Sequence, residues 1–316
     1  MNWSTTAFVF PGQGSQQVGM AADLTLTSPA AAKVFAQADR LLGMDFTEIM
    51  REGPAELLDD TYNTQPALYI AGIATLRALE ERADEPFEPL AVAGHSLGEF
   101  TALTVAGALS FEDGLRLVRE RGRLMREAGE QHPGAMAALL GLEVADAHAI
   151  CAEAAAQAGK PVIVANDNCP GQIVISGDEA ALDLALPLAK AKGAKRAVKL
   201  AVSVAAHSPL MAQAAEFFSK ALAETAFTAP RIPVIANLTA TPLHTAAEIR
   251  AELTAQLTGA VRWTETIRAL RALGATHFLE LGPKDVLTGL LKRIDKDAVG
   301  LPLNSAAAVR ALEIGG

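Results

Sequence analysis

The stretch Gly94-His95-Ser96-Leu97-Gly98 sets a serine between two glycines, where an apolar run gives way to an amphipathic one. Core packing has no use for a hydroxyl there, but attack on a carbonyl does. The G-x-S-x-G spacing predicts a sharp strand-to-helix turn with the serine exposed at its tip. Leu97 then opens the helix. Its main-chain N–H has no intrahelical acceptor, so it can donate to an oxyanion with help from the helix dipole. Three fixed positions recur by chance, and an ordinary turn with a solvent-facing serine is the competing reading. The strand before and the helix after favour a nucleophile.

A serine hydroxyl needs a base. Of the six histidines, His207 is best placed: it closes the apolar run AVSVAA, and Ser208-Pro209 after it reads as a helix start. His132 precedes a proline, His148 sits in an Ala-rich helical stretch, His244 in a loop and His277 in a strand-like run. A lone histidine is more often structural than catalytic, so context alone leaves His207 a candidate. His95 adjoins Ser96, but neighbours on a sharp turn point apart, so it reads as a shaping residue. The loop PGQGSQ after an N-terminal apolar strand is no dinucleotide fingerprint, because Gly12 and Gly14 are followed by Gly19. It offers the N–H of Gln13 as a second oxyanion donor, or it is a plain Gly-rich turn.

The elements that must position these groups follow from hydrophobic periodicity. TAFVF, PLAVAG, RIPVIANLT and THFLELG read as strands. AAAKVFAQADRLLG, QPALYIAGIATLRALEER, LGEFTALTVAGAL, FEDGLRLVRERGRLMREAG, AAEIRAELTAQL, TETIRALRAL and DVLTGLLKRI read as helices. Their alternation predicts a parallel sheet covered on both faces. Between them, AMAALLGLE, PVIVANDN, GQIVISG and AKRAVKLAVSV give strands and two further helical runs, in the order β-α-β-β-α-β. That is the ferredoxin-like pattern. The expectation is an α/β chain: a large subdomain from 1–130 and 203–316, interrupted by a small ferredoxin-like subdomain at 131–202. Ligands gather at the carboxyl ends of parallel strands. Three such ends carry polar groups: FVF-PGQGSQ, AVAG-HSLGE and AVSVAA-HSPLM.

The totals narrow the function. The chain has 316 residues, half of them hydrophobic, enough for a large core. A net charge of -9 argues against nucleic acid. No run approaches the roughly 20 apolar residues of a membrane span, and MNWSTTAFVF lacks the pattern of a secretion signal. Two cysteines, Cys151 and Cys169, make no disulfide framework, and no metal-ligand spacing is present. The expectation is a cytoplasmic protein without a metal or redox cofactor and without a membrane partner. One basic stretch, Lys190 to Lys199, breaks the acidic balance; it reads first as a solvated helix end leading into a strand.

FVFPGQGSQ, TQPAL, GHSLGE, RGRLM, PGQIVISG, SVAAHSPLM and LELGPKDVLTGL resemble, in this order and over nearly the whole chain, the signature segments of the malonyl-CoA:acyl carrier protein transacylase family of fatty acid synthesis. The resemblance implies an α/β-hydrolase-like core with a ferredoxin-like insertion and an active site in the cleft between them. It implies ping-pong transfer of a malonyl group from malonyl-CoA to the pantetheine thiol of an acyl carrier protein, with no cofactor. Ser96 matches the acylated nucleophile, His207 its base, and Gln13 and Leu97 the oxyanion donors. Arg121, which by itself reads as one more surface charge beside Arg116, Arg119, Arg123 and Arg126, matches the group that grips the malonyl carboxylate. Gln256 matches the position whose main-chain carbonyl orients the histidine. Gln65 is expected to line the cleft, with His95 beside the substrate and Asn166 and Asn168 in a loop near the acyl or pantetheine end. Two departures stand out: Ala205-Ala206, where the family often has Pro-Ser, and Lys284-Asp285, expected at the periphery. Because carrier proteins are acidic, the resemblance suggests that Lys190–Lys199 and exposed arginines of 116–126 dock the carrier.

Other readings keep some of these residues. A serine hydrolase or thioesterase would use Ser96 and His207, normally with an acidic residue behind the histidine. A polyketide acyltransferase or the malonyl-transfer subunit of a decarboxylase would keep the chemistry and change the carrier. A non-catalytic acyl-binding module would leave the whole constellation idle.

Overall fold

Every residue of β1 (Thr6–Phe10) is buried, the mark of a strand covered on both faces. The computed structural model describes residues 1–83, 87–202 and 204–314. Within them β1 lies at the centre of a six-stranded sheet. It pairs in parallel with β2 (Ala91–Gly94) on one side and with β9 (His277–Leu281) on the other, and β10 (Val299–Leu303) extends the sheet beyond β9. Beyond β2 lie β7 (Val234–Ile235), parallel, and β8 (Pro242–Leu243), antiparallel. Helices cover both faces, as the alternation predicted. β10 escapes the sequence reading because Pro302 interrupts it; as an edge strand it tolerates the missing donor. The helices Phe46–Glu52, Ala55–Asp59 and Ala212–Glu224 also went unread.

The second sheet is antiparallel, in the order β4-β5-β3-β6, from β3 (Gly134–Leu140), β4 (Val162–Cys169), β5 (Gln172–Asp178) and β6 (Arg196–Lys199). Helices Val144–Ala158 and Glu179–Ala191 cover one face, over a core that includes Leu139, Ile150, Val164, Ile175 and Leu182. Strand alternation turns Met136 and Val174 to the other face, where they pack with Val202 and Ala206 on the way to His207. This is the predicted β-α-β-β-α-β order. The predicted boundary residue Ser203 lies outside the described residues, as do Gly315 and Gly316.

Two predicted strands are shorter than read. The run AKRAVKLAVSV ends as a strand at Lys199: Leu200 N–H still donates to Met136 O, but Val202 N–H turns back to Leu200 O. His207 is therefore reached by an irregular segment and closes no strand. RIPVIANLT pairs only at Val234–Ile235. The two sheets are joined at β4. Asp167 N–H donates to Val261 O at 3.0 Å, Val261 N–H to Ala165 O at 2.8 Å, and Thr264 Oγ1 to Asp167 Oδ1 at 2.7 Å. Asn166 and Asn168 thus lie on this strand, which is irregular there, and not in a loop.

Candidate active site

The carboxyl ends of β1, β2 and β7 converge. Ser96 occupies the turn between β2 and helix Gly98–Val105 with φ 50°, a left-handed conformation that costs a serine energy. The flanking glycines do not take this conformation; they make room. A Cβ on Gly94 would stand 1.8 Å from the carbonyl carbon of Gly98, and one on Gly98 would stand 2.1 Å from Phe10 O. The strained turn is held from β7. Ser96 N–H donates to Asn237 Oδ1 at 2.7 Å, while Asn237 Nδ2 donates to Gly94 O at 2.8 Å.

His207 sits across from this turn, 3% exposed and also left-handed at φ 59°. Its Nε2 lies 2.7 Å from Ser96 Oγ. Its Nδ1 faces two main-chain carbonyls, Gln256 O at 2.8 Å and Gly259 O at 3.1 Å. Carbonyls only accept, so Nδ1 carries the proton and Nε2 is left as the acceptor for the serine hydroxyl. Burial, and then the nearby charge of Arg121, push His207 down to about 3. The imidazole is neutral at physiological pH and ready to take a proton. As read from the sequence, Ser208 caps the next turn and Pro209 opens it.

Arg121 is the clearest surprise for a reading based on charge. It is 2% exposed, on the inner face of helix Phe111–Gln131 with Val118 and Met125. Its Nη1 donates to Gln65 Oε1 at 2.8 Å. Its Nη2 donates to Gln256 Oε1 at 2.9 Å and Ser96 Oγ at 3.1 Å. Among the described residues its partners are neutral oxygens, and its Nε has none at all. Burial lowers it to about 10, so it remains charged. Gln65 is fully buried and holds the arginine instead of lining an open cleft. The neighbouring arginines differ from one another. Arg123 pairs with Glu120 and Glu127, and Arg116 with Glu112. Arg119 Nη1 donates to Tyr62 O at 2.9 Å, the carbonyl whose helical partner is lost because Pro66 has no N–H.

Neither Leu97 N–H nor Gln13 N–H has a hydrogen-bond partner among the described residues. Leu97 is the N-cap of its helix, where an unpaired N–H is expected. The Gln13 loop is pressed onto the nucleophile turn, since a Cβ on Gly12 would meet His95 O at 2.5 Å. A hydrogen-bonded chain fixes it: Thr61 Oγ1 donates to Gln13 Oε1 and accepts from Gln65 Nε2, both at 3.0 Å. At the rim of the same loop, Lys284 Nζ donates to Gly14 O at 3.0 Å, an exposed contact, and Asp285 is exposed.

His95 does point away from Ser96. Its Nε2 bonds to Asn168 Oδ1 at 2.8 Å, and its ring packs edge-on to Trp263. Burial lowers its pKa. His95 and Asn168 thus link the two sheets beside the serine. Asn166 is buried one turn of the pleat away, and its strand bridges to Val261. Sequence reasoning missed Asn237, Glu99 and Glu252. Asn237 could have been found by the strand-end rule, since it follows the apolar run PVIA. Glu99 stands out as a carboxylate opening an otherwise apolar helix. It is fully buried, and burial and the neighbouring Glu252 hold it well above the usual carboxylate range.

Known proteins share much of this sequence and fold. The acyl transferase domain model matches residues 7–309. The malonyl CoA-acyl carrier protein transacylase of Escherichia coli K12 is 43% identical over 305 residues, covering 96% of this chain and 97% of the relative. The crystal structure of the malonyl-CoA:acyl carrier protein transacylase of Xanthomonas oryzae superposes with a TM-score of 0.93 at 47% identity, covering 98% of both chains. A malonyl-transacylase bound to its type II PKS acyl-carrier protein superposes with a TM-score of 0.93 at 42% identity, covering 96% of this chain and 97% of that one.

Proposed function

The chain belongs to the acyl transferase domain family, and we propose that its Ser96, His207 and Arg121 carry malonyl transfer from malonyl-CoA to an acyl carrier protein. It is an acyltransferase, and its substrates are a CoA thioester and a carrier protein. One observation supports the roles more than any other: a buried arginine whose partners are neutral oxygens lies 3.1 Å from a serine hydroxyl, which is itself 2.7 Å from a histidine base.

Ser96 Oγ attacks the thioester carbon while His207 Nε2 takes its proton. The N–H groups of Leu97 and Gln13 receive the negative oxygen, each donor being worth about 3 kcal/mol to such a step. The C–S bond breaks, and the departing CoA sulfur takes the proton from His207. The pantetheine thiol of the carrier then gives its proton to His207 and attacks the ester carbon, and the C–O bond to Ser96 breaks as Ser96 Oγ takes that proton back from His207. No electrons change hands and no hydrolytic water is used, so the proposed transfer requires no metal or redox cofactor. Throughout, the fork of Arg121 holds the malonyl carboxylate through charge-assisted hydrogen bonds, exchanging neutral partners for an anion. An acetyl group leaves that charge without an anion.

Among the described residues no helix is long and apolar enough to cross a membrane. Fatty acid synthesis in the cytoplasm is the proposed setting, with 131–202 as a small subdomain roofing the site. Lys190, Lys195 and Arg196 are exposed and form the proposed carrier-docking surface; Lys192 and Lys199 already face Asp146, Glu179 and Asp183. Intact mass after mixing with malonyl-CoA, and again after adding holo carrier protein, tests the reading. One malonyl adduct that moves to the carrier is expected. Steady CoA release without a carrier would make the protein a thioesterase, and an adduct accepted only by a polyketide carrier would move it to that pathway.

A further inference from the structure

Three atoms of Gln256 make four contacts at the site. Its main-chain oxygen faces His207 Nδ1, its Oε1 accepts from Arg121 Nη2, and its Nε2 donates to Ser96 O at 3.0 Å and to Glu99 Oε2. Both amide hydrogens are therefore used, and only the oxygen is left for the guanidinium. Turned over, the amide would set oxygen against Ser96 O and Glu99 Oε2, and NH2 against the donors of Arg121. Something has to hold the favourable orientation in a site where a flipped amide is sterically almost identical.

We propose that Glu99 is a positioning residue for acyl-group selection: by accepting from Gln256 Nε2 it fixes which end of that amide faces Arg121. Glu99 is suited to the task because N–H donors face both its oxygens, and these favour the carboxylate against the burial that raises its pKa. Oε1 takes the main-chain N–H of Asn237 at 3.1 Å, and Asn237 in turn anchors Ser96 N–H. Glu252, packed beside it, is tied to its own main-chain donor, Leu238 N–H, at 2.8 Å. The carboxylate thus reads the polarity of the amide and passes it to the arginine without touching substrate. The inference rests on the proposed role of Arg121 in holding the malonyl carboxylate.

Glu99→Gln tests this with almost no change of shape. The new side chain has one acceptor and one donor end. The buried main-chain N–H of Asn237 cannot turn away, so it keeps the acceptor, and NH2 faces Gln256. Donor then meets donor, and the conflict is relieved only by turning the Gln256 amide, which moves it to Arg121 and to Ser96 O; the second falls on both acyl donors alike and leaves their ratio to report the first. The ratio of kcat/KM for malonyl-CoA to that for acetyl-CoA, read as adduct formation, is expected to fall roughly tenfold or more, as for loss of a hydrogen bond to a charged group. Acetyl transfer, which does not use the cation, should keep most of its rate. In an Arg121→Ala background the same substitution should change the ratio less than about twofold, because the two act through one contact. Glu99→Asp, which draws the acceptor back by one methylene, should lower the ratio in the same direction and serves if Glu99→Gln does not fold. Equal losses for both donors, or an unchanged ratio in a folded variant, would overturn the proposal. A wild-type protein that forms no malonyl adduct would instead defeat the function proposed above.

Discussion

Ser96 and His207 share a left-handed backbone, at φ 50° and 59°, but their turns are built differently. The serine turn is mostly local. β2 enters it, a helix leaves it, two glycines let the chain pass within contact of itself and of β1, and from afar Asn237 accepts from its N–H while Gln256 donates to its carbonyl. The histidine turn has no strand behind it. It follows an irregular segment resting on the second sheet, and its ring is aimed by the carbonyls of Gln256 and Gly259, about fifty residues downstream. The proposed nucleophile is thus preset by a short motif, and the proposed base by the assembly of distant segments. The difference explains why one can be recognised from five residues and the other only by context.

Of the two turns, the histidine's is the more vulnerable. His207→Ala should slow malonyl-enzyme formation about a thousandfold or more, since no second imidazole faces Ser96 Oγ. Quenched-flow mass measurement decides it, and a loss under about tenfold would mean that the hydroxyl has another acceptor. A smaller effect tests the support that Asn237 gives the serine turn from a distance. Asn237→Ala leaves Ser96 N–H and Gly94 O without their partner, at a cost of about 1–3 kcal/mol for each buried group left unmade. A lower denaturant midpoint and a slower acylation should appear together; a change in stability alone would show that the strained serine is held by its glycines and helix without help.

The smallest expected effect is the most specific to the histidine. With its folded-state value pushed down to about 3, from an ordinary 6.5, His207 stays neutral where a solvent-exposed imidazole protonates. The acylation rate should therefore be nearly level from about pH 8 to about pH 5.5. A half-loss near pH 6.5 would place the base in solvent. The same depression has a stability consequence. Between 6.5 and about 3 the unfolded chain binds the proton and the folded chain does not, so His207 costs the fold increasing stability as pH falls through that window. Restoring an ordinary, exposed side chain at 207 should flatten that part of the unfolding curve.

Much of this was legible along the chain. Continuous apolar strands alternating with helical runs announce a covered parallel sheet, and the β-α-β-β-α-β interval announces a second one, because both signals depend on local side-chain periodicity. The Ser96 turn, the free N–H of Leu97 and the Ser208-Pro209 helix start are likewise local, settled by residues within a few positions of each other. Charge was misleading in the same measure. Arg121 lies among four other arginines in a polar helix, and its spacing from Val118 and Met125 is the one sequence sign that it turns inward. Only the packing of helices Thr61–Ala83 and Phe111–Gln131 puts it beside Ser96. The third strand end was misread because β6 leaves its sheet at Lys199, a matter of which carbonyls remain available to it and not of the apolar run itself. Glu99 and Asn237 are marked by their apolar neighbours, but with Gln256 they obtain their partners, 160, 141 and 157 residues apart for Gln256–Ser96, Asn237–Ser96 and Glu99–Gln256, only from the fold. The elements and the Ser96 turn are set locally along the chain, since steric and hydrophobic preferences act over a few residues. The tertiary structure decided which polar groups meet, because a buried hydrogen bond is satisfied by whatever partner the packing of distant segments brings within about 3 Å.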